Sequence, residues 1–339
     1  HARSNDRSVG IFDRDQSAWR EKLGRIQEAV GGRGLAVAIS VRTTTRRRKV
    51  SPRRHTFAPS FDIHVPAMKR IVLWAIVAVI CVAFRGKSAF AAESPRPAPL
   101  VFHVIVPLCS NEQIDCGSPA AGLSGNLKTN LYWGAVFGHR RFFDRKQSDF
   151  TRIDLARGKG ALLERAVYKR KVDVPGSEGK TREEIVVLDA YHGDAIDTAV
   201  ETFWHRATHG GVIHFRDGDK DREERVSIAG YAGHNRLMDG LRLQAVPKGS
   251  ASPIPSFVLA CESEQYFGQA LRDAGSETLV MTRSLMAPEG YVLDAVVRAI
   301  GDGAKPAKIR TAAVKAYAKW QKLSDGAAGA IFAKSENRD

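Results

Sequence analysis

Two residues closing consecutive apolar segments carry the most reactive chemistry: His234, in Ala232-Gly233-His234-Asn235, and Cys261, in Ala260-Cys261-Glu262-Ser263. The thiolate is the nucleophilic form of cysteine, and an ordinary thiol is only about 3% ionised at neutral pH. An imidazole beside the sulfur stabilises the thiolate and later protonates a leaving amine. Gly230 and Gly233, on the histidine side, would let a substrate backbone approach and leave amides free to face an oxyanion. The pattern points to a cysteine hydrolase with Cys261 as nucleophile and His234 as general acid/base. No cofactor or metal is expected for such chemistry, and a peptide or protein is among the substrates it could serve. The alternative is a non-catalytic binding or interaction domain. Its Cys261 would be a small buried strand-end residue, and its His234 a loop residue bonded to backbone.

A second polar group, Asp189-Ala190-Tyr191-His192-Gly193-Asp194, also follows an apolar segment. Asp189, His192 and Asp194 have metal-ligand chemistry, but their spacing matches no ligand signature. Asp194 serves equally as the N-cap of the helix that follows. His192 is also the second choice for the dyad histidine. His205 and His209 stand one helical turn apart and read as a surface pair. Asp217, Asp219 and Asp221 start like a calcium loop, but Lys220 interrupts them and the closing glutamate is missing, so a charged hairpin turn is expected.

Positioning these residues requires strands that end together. Leu100 to Val106 and Ile185 to Leu188 are continuous apolar runs of buried-strand type. Leu163 to Val172, Val212 to Phe215, Val226 to Tyr231, Ser256 to Ala260 and Thr278 to Thr282 are further strands. Helical spacing marks Ile196 to Ala207, Phe267 to Ala274, Tyr291 to Ile300 and Ile309 to Leu323. Shorter helices are expected over Asn130 to Phe143 and Leu237 to Val246. Strands alternating with helices predict an α/β fold, a largely parallel sheet covered by helices on both faces. In such sheets function collects at the carboxyl ends of the strands. The segment between His234 and Cys261 is long enough for a crossover joining adjacent parallel strands.

The strand leading to Gly230-Tyr231-Ala232-Gly233-His234, followed by a strand leading to Ala260-Cys261-Glu262-Ser263, resembles the caspase-like (clan CD) cysteine peptidases, particularly the separase and CHAT branch. The resemblance covers roughly residues 225–303 and implies a caspase-like fold with the Cys261/His234 dyad. Asn235 stands where the family usually has glycine, and the 27 residues separating the dyad are fewer than usual there. Leu131 to Phe143 is otherwise similar to uncharacterised exported bacterial proteins.

Upstream, Met68-Lys69-Arg70, an apolar run to Phe84 and Ala89-Phe90-Ala91 have the three parts of a secretory signal peptide, placed at 68–91. The run would span about 21 Å as a helix, short of the roughly 30 Å hydrocarbon core. Residues 1–67, with Arg46-Arg47-Arg48-Lys49, are expected to be translated upstream sequence or a disordered basic segment. Residues 92–99 are then a linker and 100–330 a single α/β domain. The whole chain carries a net charge of +15, but residues 92–339 hold 34 basic and 31 acidic residues, a net +3. This removes the electrostatic case for nucleic acid, and no membrane is expected for the mature form. A periplasmic or secreted location favours a Cys109/Cys116 disulfide, worth about 2.5 kcal/mol by loop entropy. Cys261 is left as the odd thiol. Oligomeric state is not legible.

Overall fold

The computed structural model describes residues 97–247 and 249–334. The expected basic segment, signal peptide and first part of the linker lie outside the described residues, while 97–99 run as irregular chain into the first strand. The strands are β1 (Leu100–Pro107), β2 (Thr151–Arg157), β3 (Leu162–Asp173), β4 (Thr181–Tyr191), β5 (Val212–Asp217), β6 (Lys220–Arg225), β7 (Ile228–Ala232), β8 (Ser256–Leu259) and β9 (Thr278–Val280). The helices are α1 (His139–Phe143), α2 (Ile196–His209), α3 (Gln269–Asp273), α4 (Gly290–Gly301), α5 (Pro306–Gln321) and α6 (Asp325–Ile331). Seven strands form one sheet in the order β2-β3-β4-β1-β7-β8-β9, while β5 and β6 pair separately. The five strands from β4 to β9 are parallel; β2 and β3 extend that end antiparallel. The protein is therefore mixed α/β with a mostly parallel central sheet.

The apolar run of β1 pairs on both sides and is buried on both faces. Side chains alternate across a strand, so Phe102, Val104 and Val106 enter a core shared with residues of α1, α4, α5 and α6. On the other face Ile105 joins Val200 and Phe203 of α2 and Phe267 of the π-helical segment Glu264–Gly268 that leads into α3. Val101, also on that face, meets Val167, Ile185 and Val187 under Ile213 and Phe215 of the β5–β6 hairpin. Helices and hairpin thus cover both faces, as a parallel sheet requires.

Several expectations shift. Residues 130–138 form successive turns rather than a helix, and only His139–Phe143 is helical. The Asn130 side chain accepts from the Cys109 and Tyr132 amides (3.0 and 3.1 Å) and donates to the Cys109 carbonyl (2.8 Å), which fixes a turn instead. The charged stretch 217–224 is not a long turn. Lys220–Arg225 is a strand, with Arg222 and Glu224 half-buried against exposed Asp221 and Glu223. Leu237 to Val246 forms turns and irregular chain, not a helix. The edge strand β2 and the terminal α6 have no counterpart among the expected elements.

Gly230 shows how close the packing is at the sheet centre. A Cβ there would run into the Phe257 ring and come within 3.0 Å of Val104. Overfilling a packed core costs about 1–3 kcal/mol. Gly230→Ala is expected to lower the stability from urea unfolding by that amount while leaving the far-ultraviolet dichroism of the native state intact.

Candidate functional site at the carboxyl edge of the sheet

His234 and Cys261 reach the same edge because β7 and β8 are parallel neighbours. Ala232 is paired with Leu259, and each candidate lies two residues beyond its member of that pair. The ladder continues one step further, with the Gly233 amide donating to the Leu259 carbonyl at 3.1 Å. Asn235 then joins the two loops directly. It is fully buried, donates from Nδ2 to the Cys261 carbonyl at 2.6 Å, and accepts the Leu237 amide at 3.1 Å.

His234 is 8% exposed, and its Nε2 lies 2.6 Å from Oδ2 of Asp239. Its carbonyl accepts the buried Tyr231 hydroxyl at 2.7 Å. Among the described residues no hydrogen bond runs between the His234 ring and the Cys261 sulfur. That sulfur instead faces the Met286 backbone, 3.4 Å from the amide and 3.6 Å from the carbonyl. Burial pushes the Cys261 thiol up to about 11, the Met286 backbone contact opposes this, and the nearby Glu262 carboxylate reinforces it. Buried Tyr132 lies close enough to Cys261 for a thiolate to disfavour its ionisation.

The turn after Cys261 is anchored on the strand side and on the following segment. Ser263 Oγ donates to the Val258 carbonyl at 2.9 Å, and the Glu262 amide donates to the Ser284 carbonyl at 3.1 Å. Thr282 Oγ1 bonds the Ala260 carbonyl in a short contact. Glu262 has φ of 49°, a left-handed conformation uncommon for a residue with a side chain. Such conformations persist where surrounding contacts over-determine them.

The two glycines have different duties from those expected. The Gly233 amide is committed to Leu259, and its missing Cβ makes room for Pro107, whose Cγ would be 2.7 Å away. Gly230 lies inside the ladder beneath Phe257. Both allow close packing, and the Gly233 amide is not free to face an oxyanion.

His192 and Asp194 lie side by side, Nδ1 3.8 Å from Oδ2, but Asp189 does not join them. Asp189, 1% exposed, turns into the sheet face below α2 and takes both guanidinium contacts of Arg165, at 2.7 and 2.6 Å. It also receives His103 Nε2 at 2.8 Å, while Arg206 of α2 donates to His103 Nδ1 at 3.2 Å. That pattern requires a neutral imidazole with its proton on Nε2, in keeping with a pKa lowered chiefly by burial. Burial works against the Asp189 charge, yet Arg165 and His103 outweigh it and hold the carboxyl down to about 2. His192 instead accepts the Asp194 amide at 3.3 Å, capping the turn into α2, and Ser110 donates to Asp194 at 3.2 Å. The N-cap position of α2 is held by Ala195 without a side-chain cap, so Asp194 does not fill the role expected of it, and His192 caps only the 3-10 turn Gly193–Ala195 that precedes the helix.

No cluster of three or more His, Cys, Asp or Glu suited to a metal occurs among the described residues. The His205 and His209 rings stack at 4.6 Å. Asp217 accepts Lys169 at 2.7 Å and Arg222 at 3.0 Å, so it ties the hairpin to β3. Cys109 and Cys116 are joined in a disulfide, leaving Cys261 as the free cysteine of the described residues. No described helix is long and apolar enough to cross a membrane.

Two residues of this edge carried no functional expectation. Asn235 was visible in the sequence only as a departure from glycine. Asp239, five residues beyond His234, gave no signal, since its role depends on how that turn closes. Compared with known proteins, the chain matches no family model, no curated protein and no solved structure.

Two outcomes follow from these contacts. Asn235→Ala leaves the Cys261 carbonyl without its donor and is expected to cost about 1–3 kcal/mol in denaturant unfolding. Asp189→Asn leaves two guanidinium groups unneutralised against a buried imidazole, at a cost of about 3–5 kcal/mol. In the parent the Asp189 carboxyl is held below its unfolded value of about 3.9. Its stabilisation is therefore complete above that value and lost as pH falls through about 2. Acid unfolding of the parent should carry this component, and the Asp189→Asn protein should lack it.

Proposed function

We propose that this chain is an exported cysteine hydrolase of caspase-like fold that cuts a peptide or related amide bond through Cys261 and His234. The observation that carries the reading is the equal offset of the two residues beyond the Ala232/Leu259 pair on adjacent parallel strands. The amide link from Asn235 to the Cys261 carbonyl supports it, since one loop cannot move far without the other. Export is supported by the signal-like segment 68–91 together with the Cys109–Cys116 disulfide, a bond characteristic of oxidising compartments.

In the reaction, His234 takes the thiol proton as sulfur attacks the scissile carbonyl carbon. It returns that proton to the departing amine as the C–N bond breaks, leaving a thioester on Cys261. Water, deprotonated by the same imidazole, then attacks the thioester carbon. The carboxylic acid leaves, and the thiol recovers its proton from the imidazolium. Without substrate the thiol is held up at about 11 against the Met286 backbone and is not activated. Substrate entry must exchange the Met286 contact for one with the imidazole.

That same high thiol value favours a second reading, a non-catalytic interaction domain in which Cys261 is an inert strand-end residue. Alkylation by iodoacetamide, mapped to Cys261 by mass spectrometry in folded protein at neutral pH, separates the two. The hydrolase reading expects labelling that His234→Ala slows by about 100-fold, the low end of acid–base contributions. It also expects peptide cleavage that Cys261→Ala abolishes. A Cys261 that stays unlabelled, or that labels equally without His234, would leave the interaction domain standing.

A further inference from the structure

We infer that Asp239 is a positioning residue that completes a Cys261–His234–Asp239 triad, fixing the tautomer of His234 and stabilising its imidazolium. The inference rests on the hydrolase reading and adds a member that the two-residue dyad does not contain.

The argument begins with hydrogen-bond roles. An ionised carboxylate only accepts, so the 2.6 Å contact between Asp239 Oδ2 and His234 Nε2 requires the imidazole proton on Nε2. The Nδ1 lone pair is then the one available to take a thiol proton. When it does, the ring becomes cationic beside a carboxylate already in contact, and no group has to move to compensate the new charge. A third group that orients the base is the recurring arrangement behind activated nucleophiles.

The surroundings show that Asp239 is itself held. Arg236 places Nη1 3.5 Å from the same Oδ2, while its Nε reaches Asp197 on α2 at 2.8 Å. The turn carrying Asp239 is thereby tied to a helix outside the loop. The Asp239 side chain is 38% exposed and the His234 side chain 9%, so the pair runs from solvent inward to the ring. The charged and titratable groups on this side are Asp239, Arg236 and, through Arg236, Asp197, with the Tyr231 hydroxyl on the His234 carbonyl. Facing the sulfur are Glu262 beside it and Tyr132 from the loop after β1. Of these groups, Asp239 contacts the imidazole itself, which makes it the one placed to set the ring's tautomer.

The effect on the nucleophile has a definite sign. A carboxylate at Nε2 favours the imidazolium, and the imidazolium favours the thiolate. Without that charge, the thiolate forms only at higher pH. The test is the rate of Cys261 alkylation by iodoacetamide from pH 5 to 10 in the full chain, comparing the parent with Asp239→Asn, Asp239→Glu and His234→Gln. Asp239→Asn is expected to slow alkylation at pH 7 by at least about 10-fold, the low end of the cost of removing a carboxylate that orients a metal-bound imidazole. Its rate profile should shift to higher pH, and Asp239→Glu should recover part of the loss. Nitrogen-15 spectra of the His234 ring should show Nε2 protonated in the parent. An unchanged profile in Asp239→Asn with a slowed His234→Gln overturns the role of Asp239 and leaves the dyad. An unchanged His234→Gln profile defeats the hydrolase reading itself. If Asp239→Asn does not fold, the parent ring spectrum decides, and a proton on Nδ1 overturns the inference.

Discussion

The parallel ladder that β1 makes with β4 on one side and β7 on the other sets the position of every polar residue at the carboxyl edge. Its registers pair Pro107 with Tyr191 and Ile105 with Tyr231, so three strands end near one level. β8 joins through β7 and brings Cys261 to the same level. Because backbone pairing is obligatory in a buried sheet, these offsets are not free to drift. A slip of one residue would also exchange the two faces of β1. Phe102, Val104 and Val106 would then leave the aromatic core, and His103 would enter it.

That face assignment explains how the sheet accommodates charge. His103 lies on the α2 side, where Arg206, Asp189 and Arg165 form one connected group across α2, β1, β4 and β3. Its hydrogen-bonded pairs are 24 to 103 residues apart in sequence. At the amino-terminal end of β4, Glu184 is fully buried beside Arg170, 2.7 Å away, and burial outweighs that partner to raise its carboxyl to about 7. Gly301, ending α4, allows the chain to pass over this pair, since a Cβ there would collide with the Glu184 carboxylate. The polar groups inside this fold thus mark where separate segments meet.

Much of the fold was legible because burial on two faces leaves a continuous apolar signature, as in Leu100–Pro107 and the middle of β4. Amphipathic spacing likewise marks Ile196–His209 and Pro306–Gln321. Elements governed by particular side-chain contacts were not legible. The Asn130 side chain makes turns of an aromatic stretch that is otherwise patterned for a helix. All six residues of β6 are charged, and it becomes a strand through pairing with β5 and contacts such as Arg222 over the Phe215 ring. At the site, the two strand-end residues could be proposed from local sequence. Asn235 and Asp239 depend on loop closure, and Asp189 on partners from other strands, none of which has a local periodicity.

β2, at one margin of the sheet, has an exposed outer side, and Leu155 there is 42% exposed. Arg152, Asp154 and Arg157 interrupt its sequence, and its pairing with β3 breaks register between Arg152 and Asp154. At the opposite margin β9 has only three residues, and just beyond it Thr282 bridges Phe332 of the chain's own carboxyl-terminal segment. Exposed strand margins are templates for uncontrolled growth, and charge, irregular register, brevity and self-coverage are the means by which proteins blunt them. A sheet so apolar at its centre is thus guarded at both borders against recruiting a neighbouring strand into an aggregate.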